Sequence, residues 1–330
     1  MARAVNGQRV DGAKQLSPRP GSTLVMVGNF DGVHLGHRWV LDQGLAEAAA
    51  RGLDPVVLTF HPHPSEVLGR GSLPVLTPLE RKVNLLGRLS PRLRVVVEPF
   101  TRELAGASPE EFAADLLCRA LGARVVLVGE NFRFGRARAG DFAKLAALGR
   151  SLGFEARAET LHADAAGTIS STRIRELISD GEVRAAEVLL GRPHALSGPV
   201  VHGDQRARQL GVPSANLGDV SELLPARGVY AVLVDLLEGG AYRQLGAGIA
   251  NVGVRPTHGA GEVRAEAHLL GFSGDLYGRT LRIHLIERLR EERRFEGLDA
   301  LRAQLERDKS DGAARLAQRT PDPGAGGAWH

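Results

Sequence analysis

The residues best suited to chemistry are two histidines, His34 and His37, at the end of the glycine-rich string G-N-F-D-G-V-H-L-G-H. Side chains three positions apart lie on one side of a helix start, so both imidazoles can face the same ligand. Imidazolium N–H groups in such a place can hold a triphosphate while charge builds on it. Gly36 stands between them and lets a nucleotide approach the backbone closely. The string therefore predicts a nucleotide site that acts by charge stabilisation.

The elements around this string fit the same chemistry. The apolar run at 24–27 precedes it and an Ala/Leu-rich run at 39–51 follows it. That order predicts a strand, a turn and a helix, a junction that presents backbone N–H groups and the positive end of the helix to an anion. The alternative is a tight turn with two surface histidines, which an isolated H-x-G-H string would favour. The flanking elements and the G-N-F-D-G residues favour the ligand site.

Two further loops with ligand-binding residue types follow predicted strands. T-F-H-P-H-P at 59–64 has two prolines that make a stiff turn and hold its histidines outward. V-G-E-N-F-R-F-G at 128–135 offers two phenylalanines for a flat heterocycle and Asn131 for a hydrogen bond. The alternatives are a surface loop with idle histidines and a loop that buries its aromatic rings against its own scaffold.

A fourth string, I-S-S-T-R-I-R, occupies residues 169–175. Serine and threonine at a helix start can simply cap exposed N–H groups. A stabilised helix N-terminus is also an anion site, and Arg175 lies one turn further on. The string therefore predicts either a cap or a second group of phosphate-binding residues.

Composition restricts the class of protein. The 330 residues suggest two domains, and the 43% hydrophobic and 24% charged residues are ordinary for a globular chain. We find no apolar run near the roughly 20 residues of a membrane span, and no apolar segment typical of a secretory signal. The single cysteine, Cys118, has no partner for an internal disulfide. These features favour a cytoplasmic protein without membrane association.

The charge balance leaves two classes of ligand open. The sequence pI is near 9.6 although the formal net charge is only +4. Such a balance is consistent with nucleic-acid binding or with anionic nucleotide ligands. Aromatic residues make up only 5% of the chain, which argues against a platform for stacking single-stranded bases. Nucleic acid is therefore the less favoured partner.

Apolar strands alternate with helices from residue 24 to about residue 189, which predicts a parallel, doubly wound sheet. Ligands of such sheets bind beyond the carboxyl ends of the strands, where the strings above are placed. Residues 1–20 predict a leader or an edge segment. The predicted strands are Leu24–Val27, Val56–Phe60, Leu93–Val97, Val125–Val128 and Phe154–Glu159. The predicted helices are His37–Arg51, Leu79–Leu89, Pro109–Leu121 and Asp141–Leu152.

The second half of the chain changes character after the helix stop G-R-P-H at 191–194. Short strand-like runs separated by turns predict a small antiparallel barrel, covered by a final helix at 298–307. We therefore predict domains at 1–189 and 190–312, followed by a disordered tail at 313–330. The predicted strands are Pro199–His202, Gly228–Leu236, Leu245–Val252, Val263–Leu270 and Thr280–Ile286.

These strings, taken in order, resemble the elements of bacterial bifunctional riboflavin kinase/FAD synthetases, over roughly residues 22–310. The resemblance implies a Rossmann-like nucleotidyltransferase domain in which residues 28–37 bind nucleotide and T-F-x-P-H-P lines the flavin and nucleotide cleft. I-S-S-T-x-I-R is similar to the flexible serine/lysine loop of other nucleotidyltransferases. The catalytic residues implied here are His34, His37 and Arg175. The implied ligand contacts are Gly28, Phe30, Asp31, Gly36, Phe60, His63, Asn131, Phe132, Phe134, Ser171 and Thr172.

The C-terminal half carries a second set of family elements. G-V-P-S-A-N, which begins at Gly211, resembles the G-F-P-T-A-N motif of riboflavin kinases. In that motif the hydroxyl and the amide oxygen bind Mg²⁺ and ATP, which implies Ser214 and Asn216 as metal ligands here; hard oxygen ligands suit Mg²⁺. Without the wider match, a Pro-Ser turn is the better interpretation. A G-x-A-N-x-G-x-R-P-T element adds Asn251 and Arg255 as ligand contacts.

Glu266 occupies the position of the family's general base, although a carboxylate in a strand is more often a solvated residue. The glycine-rich loop before G-V-P-S-A-N departs from the family at Asp204, Ala207 and Arg208, and Gly271 stands where an aspartate is common. Loss of glycine restricts backbone approach to phosphates, while arginine side chains can compensate.

The resemblance implies an enzyme that phosphorylates riboflavin to FMN and then adenylylates FMN to FAD, with ATP and Mg²⁺. One alternative is an FAD synthetase whose barrel binds flavin without phosphorylating it, which the altered loop motivates. A second is a non-enzymatic regulator that binds flavin nucleotide or nucleic acid, which the high pI motivates. The expected partners are the small molecules riboflavin, FMN and ATP. Oligomer formation stays open.

Overall fold

A computed structural model describes residues 8–69, 74–160, 162–202, 215–254, 263–293, 295–317 and 319. Its internal contacts divide the chain into two compact units. The first consists of Arg3–Leu73 and Thr77–Ser170, and the second of Pro74–Leu76 and Ser171–His330. The contact division therefore falls at 170/171, whereas the sequence predicts a domain boundary at 189/190. The boundary between functional domains stays a prediction.

The first unit contains a parallel sheet, as the alternating pattern predicts. Within the described residues six strands lie in the order β1-β4-β3-β2-β5-β6, and every pairing is parallel. The strand β1 belongs to the predicted leader or edge segment and occupies the sheet edge. The strands are β1 (Arg9–Asp11), β2 (Thr23–Val27), β3 (Asp54–His61), β4 (Arg94–Pro99), β5 (Ala123–Gly129) and β6 (Glu155–Glu159).

Helices cover both faces of this sheet, because its central strands are apolar on both sides. On β2, Val25 and Val27 enter one core, while Leu24 and Met26 enter the other. A short hairpin, β7 (Ala163–Asp164) and β8 (Gly167–Thr168), follows β6. The helices are α1 (Leu35–Arg51), α2 (Pro64–Val67), α3 (Leu79–Gly87), α4 (Arg102–Gly106), α5 (Pro109–Glu111, continued by a π-helix over Phe112–Ala120) and α6 (Phe142–Leu152).

The second unit is a closed antiparallel barrel, and the predicted fold class is confirmed in both halves. Within the described residues the strand order is β10-β13-β12-β11-β14-β9. Its strands are β9 (Ala195–Val201), β10 (Ala215–Leu217), β11 (Gly228–Glu238), β12 (Ala241–Val254), β13 (Val263–Leu269) and β14 (Thr280–Glu291). The sequence analysis missed β10, which has only three residues and therefore shows no alternation.

Within the described residues, three helices belong to the barrel unit. The helices α7 (Ser171–Ser179) and α8 (Val183–Leu190) precede the barrel, and Val183 is buried in the barrel core. The terminal helix α9 (Leu298–Leu316) packs on β11, β12 and β14. It continues past residue 307, so residues 313–316 of the predicted tail are helical. Residues 320–330 lie outside the described part of the chain.

Candidate functional site

The N-terminus of α1 brings the two predicted histidines together. The His37 backbone N–H donates to Nδ1 of His34, 3.1 Å away, so His34 is the N-cap of the helix. The two rings stack with centroids 3.6 Å apart and an interplanar angle of 16°. Because Nδ1 accepts a hydrogen bond, a neutral His34 carries its proton on Nε2. The predicted pair therefore shares one face of the helix start, with one of its ring nitrogens used by the backbone.

The turn that leads into α1 holds an unusual backbone conformation. Phe30 and Val33 have φ values of +50° and +39°, and Gly32 between them has +90°. Positive φ is rare for residues other than glycine, above all for a β-branched one such as Val33. Each such residue costs on the order of 1–3 kcal/mol and persists only where its surroundings enforce it. Strain of this kind occurs at ligand sites, which supports the interpretation of this turn as functional.

The predicted ligand contacts of this turn also contact the chain itself. Phe30 is buried, with its ring edge-on to His37 at 5.2 Å and packed against Gly28. Asp31 is buried and accepts a hydrogen bond of 3.0 Å from the Thr77 backbone N–H. These contacts fix the shape of the turn. Ligand binding by Phe30 and Asp31 stays a prediction.

Gly36 is required by a close approach within the first unit. A Cβ at this position would lie 2.9 Å from the Ile169 carbonyl oxygen and 3.1 Å from Nδ1 of His34. Ile169, the first residue of the I-S-S-T-R-I-R string, therefore packs closely against the first turn of α1. The approach that the structure shows is by a protein carbonyl; approach by a nucleotide stays a prediction.

The T-F-H-P-H-P segment lies beside the same turn. His63 caps α2 by accepting the Ser65 backbone N–H at Nδ1, 3.2 Å away. Its Nε2 lies 3.3 Å from the side-chain nitrogen of Asn29. Phe60 is 9% exposed and packs edge-on against Phe100, with ring centroids 5.8 Å apart. The structure therefore brings His63 to the predicted nucleotide turn and places Phe60 in the core.

Lys82 is a residue of this site that the sequence analysis missed. It lies on α3 and is only 8% exposed. Its Nζ donates to the carbonyl oxygen of Asn29 at 3.1 Å and to Oγ1 of Thr59 at 3.2 Å. Burial lowers its pKa to about 8, while the Asp31 carboxylate acts in the opposite direction. The sequence offered one signal for the burial of Lys82: the lysine lies next to Val83 and three residues before Leu85, within an otherwise apolar helix face.

The V-G-E-N-F-R-F-G loop divides into an exposed and a buried part. Asn131 is exposed beyond the end of β5, where the sequence places a ligand contact. Phe132 stacks on Phe134 with centroids 5.4 Å apart, and Phe134 packs against Phe112 at 5.3 Å. Phe134 is 5% exposed and belongs to the core. Its observed role is to anchor the loop, and ligand contact by either ring stays a prediction.

The I-S-S-T-R-I-R string opens α7, as predicted. Ser171 begins this helix and Thr172 is exposed beside it. The Arg175 guanidinium donates from Nε to the Pro74 carbonyl oxygen at 3.0 Å, a contact within the second unit. Arg175 is thus tied to the segment that precedes α3.

The strand register brings three predicted residues of the barrel into one row. Glu266 on β13 pairs with Asn216 on β10 and, on its other side, with Asn251 on β12. The neighbours of Glu266 in its strand, Ala265 and Ala267, point into the barrel core. Because side chains alternate along a strand, Glu266 and both asparagines point to the outer face. A carboxylate flanked by two amides is a suitable arrangement for a base beside a polar ligand.

The other predicted residues of the barrel site, Gly211, Ser214 and Arg255, lie outside the described residues, as does the loop at 204–208. No group of three or more His, Cys, Asp or Glu suited to a metal occurs in the described part of the chain. The oxygen atoms of Asn216 and Glu266 are nevertheless hard donors of the type that Mg²⁺ prefers. The donor chemistry therefore fits Mg²⁺.

No helix in the described ranges is both long and apolar enough to cross a membrane.

Comparison with protein families defines the class of each half. The FAD synthetase family model matches residues 17–173, and the riboflavin kinase family model matches residues 190–316. The chain is thus a two-part enzyme in which an α/β nucleotidyltransferase precedes a kinase barrel.

Relatives match the two parts together. A bifunctional riboflavin kinase/FMN adenylyltransferase of Escherichia coli K12 is 38% identical over 91% of this chain and 95% of its own length. The proteins of the same name from Pseudomonas fluorescens and Bacillus subtilis are 37% and 36% identical, over 94% and 88% of this chain and 98% and 91% of their own lengths. The chain belongs to the bifunctional riboflavin kinase/FMN adenylyltransferase family.

A solved structure shares the fold. The crystal structure of a Streptococcus pneumoniae protein named as a macrolide-efflux protein superposes with a TM-score of 0.79 and 28% sequence identity. The likeness covers 95% of this chain and 100% of that one. It extends over both the sheet and the barrel.

Proposed function

We propose that each unit of this chain performs one of the two reactions of its family, with the residues identified above. The barrel transfers the γ-phosphoryl group of ATP to the 5′-hydroxyl of riboflavin and releases FMN and ADP. The α/β unit joins FMN to the adenylyl group of a second ATP and releases FAD and pyrophosphate. The observation that carries this proposal is the strand register that sets Glu266 between two asparagines, in a unit separate from the His34–His37 pair.

In the kinase reaction, Glu266 accepts the proton of the flavin hydroxyl as its oxygen attacks the γ-phosphorus. The bond from that phosphorus to the bridging oxygen of ADP breaks in the same step. Asn251 and Asn216 flank the carboxylate and can orient the hydroxyl and a phosphate oxygen through their amide groups. Gly211 and Arg255 are further ligand contacts, proposed from the resemblance alone.

Mg²⁺ is proposed as the metal of the kinase site. Asn216 and Ser214 are the residues proposed to hold it, and the amide oxygen of Asn216 is a donor of the right class. When bound, Mg²⁺ supplies positive charge that offsets the charge of the polyphosphate.

In the adenylyl transfer, an oxygen of the FMN phosphate attacks the α-phosphorus of ATP, and the bond from that phosphorus to pyrophosphate breaks. His37 and the Nε2–H of His34 stabilise the charge on the phosphates from the start of α1. The resemblance assigns Ser171, Thr172 and Arg175 to the ATP phosphates, an assignment that rests on the I-S-S-T-R-I-R string. Positioning and charge stabilisation are sufficient for this chemistry, so no covalent enzyme intermediate is required.

The remaining ligand contacts of the α/β unit are proposed in two groups. The glycine-rich turn contributes nucleotide contacts through its backbone and its few side chains. The loops after β3 and β5 contribute flavin or nucleotide contacts. The residues are Gly28, Phe30, Asp31 and Gly36 in the first group, and Phe60, His63, Asn131, Phe132 and Phe134 in the second.

One assay of reaction products tests the proposal. The purified chain is incubated with riboflavin, ATP and Mg²⁺, and the flavins and nucleotides are separated by chromatography. The proposal expects FMN followed by FAD, with ADP and pyrophosphate as the other products. A parallel incubation starts from FMN. FAD from FMN without any product from riboflavin would instead favour a synthetase with an inactive kinase barrel. The absence of both flavin products would contradict the proposed function.

The proposal also covers the small-molecule partners, the cellular location and the oligomeric state. Riboflavin, FMN and ATP are the proposed small-molecule partners. Cytoplasmic location and the ability to form oligomers stay predictions, which fractionation and light scattering can measure.

A further inference from the structure

The carbonyl oxygen of Asn29 receives two hydrogen bonds from elements distant in sequence. The hydroxyl of Thr59, at the end of β3, donates to it at 3.0 Å. The ammonium group of Lys82, on α3, donates to the same oxygen at 3.1 Å and to the Thr59 hydroxyl oxygen at 3.2 Å. The three groups form a closed triangle directly behind the strained turn of the nucleotide site.

The need to satisfy the Asn29 carbonyl with a hydrogen bond does not explain why a lysine is buried here. The Thr59 hydroxyl already satisfies the carbonyl, whereas a buried ammonium group loses hydration that neutral partners do not restore. The fall of the Lys82 pKa to about 8 reports this desolvation, which the Asp31 carboxylate only partly opposes. A charged group kept at such a cost beside a ligand site is a candidate for a functional role.

The position of the triangle shows what the lysine can do. The Asn29 carbonyl belongs to the peptide that carries the Phe30 N–H, and the Phe30 residue has a φ of +50°. In a planar trans peptide the N–H points away from the carbonyl, so it points away from Lys82. A cation bonded to the carbonyl polarises the peptide and strengthens its N–H as a donor. The Asn29 side chain, 3.3 Å from Nε2 of His63, connects the same residue to the T-F-H-P-H-P loop.

We propose that Lys82 is a positioning residue for adenylyl transfer, which fixes the Asn29–Phe30 peptide and turns its polarised N–H toward the phosphates of ATP. Lys82 acts through this peptide and does not touch the substrate. The inference rests on the proposed nucleotide site at 28–37, and it adds to that site a charge supplied from α3.

The test compares three variants of the full-length chain with the wild type. Lys82→Met removes the ammonium group and keeps an unbranched side chain, and Thr59→Val removes the hydroxyl and keeps the shape. Lys144→Met is the matched control, since Lys144 is a half-exposed lysine of the same unit, paired with Glu110. FAD formation from FMN and ATP gives kcat and KM for each variant. Riboflavin phosphorylation and the unfolding temperature are measured on the same preparations.

We expect Lys82→Met to lower kcat/KM of adenylyl transfer for ATP by about tenfold or more, through both a higher KM and a lower kcat. Thr59→Val should act in the same direction, because the Thr59 hydroxyl donates to the same carbonyl oxygen. Riboflavin phosphorylation and the unfolding temperature should not fall. A purely structural defect would instead reduce the active fraction, with kcat lowered at an unchanged KM and a lower unfolding temperature.

Two results would overturn the inference. One is adenylyl transfer by Lys82→Met with the kcat and KM of the Lys144→Met control. The other is a loss of activity that follows a lower unfolding temperature. Failure of the wild-type chain to make FAD would contradict the proposed function itself, and so differs from both.

Discussion

At the scale of single residues, His34 serves the backbone of α1, and its role at the ligand site stays a prediction. Its Nδ1 caps α1 and accepts the His37 N–H, and its ring stacks on the His37 ring. Protonation of His34 at Nδ1 would remove this cap, so the capping geometry favours the neutral tautomer with its proton on Nε2. The role of His37 as a donor to the phosphates stays a prediction.

The first prediction concerns His37. Replacement by Ala removes a donor that we expect to stabilise charge in the transition state, and should lower FAD formation by about 10²–10³-fold in kcat. FMN formation from riboflavin should stay near the wild-type rate, because it depends on the barrel. The matched control is His162→Ala, which removes an exposed histidine of the same unit. Equal loss of both activities in His37→Ala would contradict the assignment of separate sites.

The second prediction concerns Glu266. Replacement by Gln keeps the size of the side chain but removes the base, and should reduce FMN formation by roughly 10²–10⁴-fold. FAD formation from supplied FMN should be retained. Glu238→Gln is the control, since Glu238 is an exposed barrel carboxylate paired with Arg243 and Arg279. Kinase turnover at the control rate in Glu266→Gln would remove Glu266 as the base.

The third prediction follows from the pKa of Lys82, about 8 in the folded chain against an ordinary value of 10.5. Below pH 8 both states hold the proton, and the folded state bears the full cost of burying the charge. As pH rises from 8 toward 10.5 the folded state loses its proton first, so this cost disappears. The shift corresponds to about 3 kcal/mol.

Lys82→Met lacks this dependence. Its free energy of unfolding should therefore exceed that of the wild type at pH 7, by up to the same amount less the lost hydrogen bonds. The difference should shrink between pH 8 and 9.5, as measured by urea denaturation at each pH. A difference that grows with pH would have the wrong sign for a buried, desolvated ammonium group.

At the scale of elements, the start of α1 depends on how closely the chain packs around it. The Ile169 carbonyl leaves no room for a side chain at position 36, and the preceding turn is held at positive φ at three of four consecutive positions, 30, 32 and 33. Sequence alone indicated that glycine is needed here. The structure shows that a protein carbonyl already requires it.

The fourth prediction is made for this element. Gly36→Ala should force the carbonyl of Ile169 or the first turn of α1 to move, and so lower FAD formation by about tenfold. Gly106→Ala is the control, because Gly106 ends α4 with nothing within 4 Å of its Cβ position. FMN formation serves as the internal reference. Wild-type FAD formation by Gly36→Ala would show that the turn tolerates the shift.

At the scale of the whole molecule, the helices at 171–190 belong by their contacts to the barrel unit. Val183 is 1% exposed in the barrel core. Arg184 pairs with Glu287 of β14 at 3.4 Å, and Glu187 pairs with Arg319 at 2.9 Å. The family models leave residues 174–189 unmatched between them, so sequence similarity alone does not assign this segment.

The fifth prediction uses this segment. A fragment of residues 171–330 should unfold at a higher temperature than a fragment of residues 190–330, by roughly 5 °C or more, because the shorter one exposes the site that Val183 fills. Calorimetry and riboflavin phosphorylation of the two fragments provide the measurement. Equal unfolding temperatures would support the boundary at 189/190 that the sequence predicts.

The sequence predicts long helices and strands well, but it does not predict very short strands or contacts between distant residues. The strand β3 and the helix α1 were predicted correctly, because a short continuous apolar run is typical of a strand buried on both faces and a long Ala/Leu-rich run is typical of a helix. The three-residue β10 left no such pattern, and the apolar helix face around Lys82 indicated burial of the lysine without identifying its partners. Its burial depends on contacts with residues 23 and 53 positions earlier, which no local pattern records.

The sequence by itself determined the order of sheet and barrel and the family, because these depend on local patterns and on residue identities; the phosphate and flavin roles of the four strings stay predictions. Only the tertiary structure decided that Glu266 stands between Asn216 and Asn251, that Phe134 is a core residue and that Lys82 donates to the Asn29 carbonyl oxygen. The physical reason is that register, burial and hydrogen bonding between distant segments are set by packing of the whole chain. No stretch of neighbouring residues contains that information.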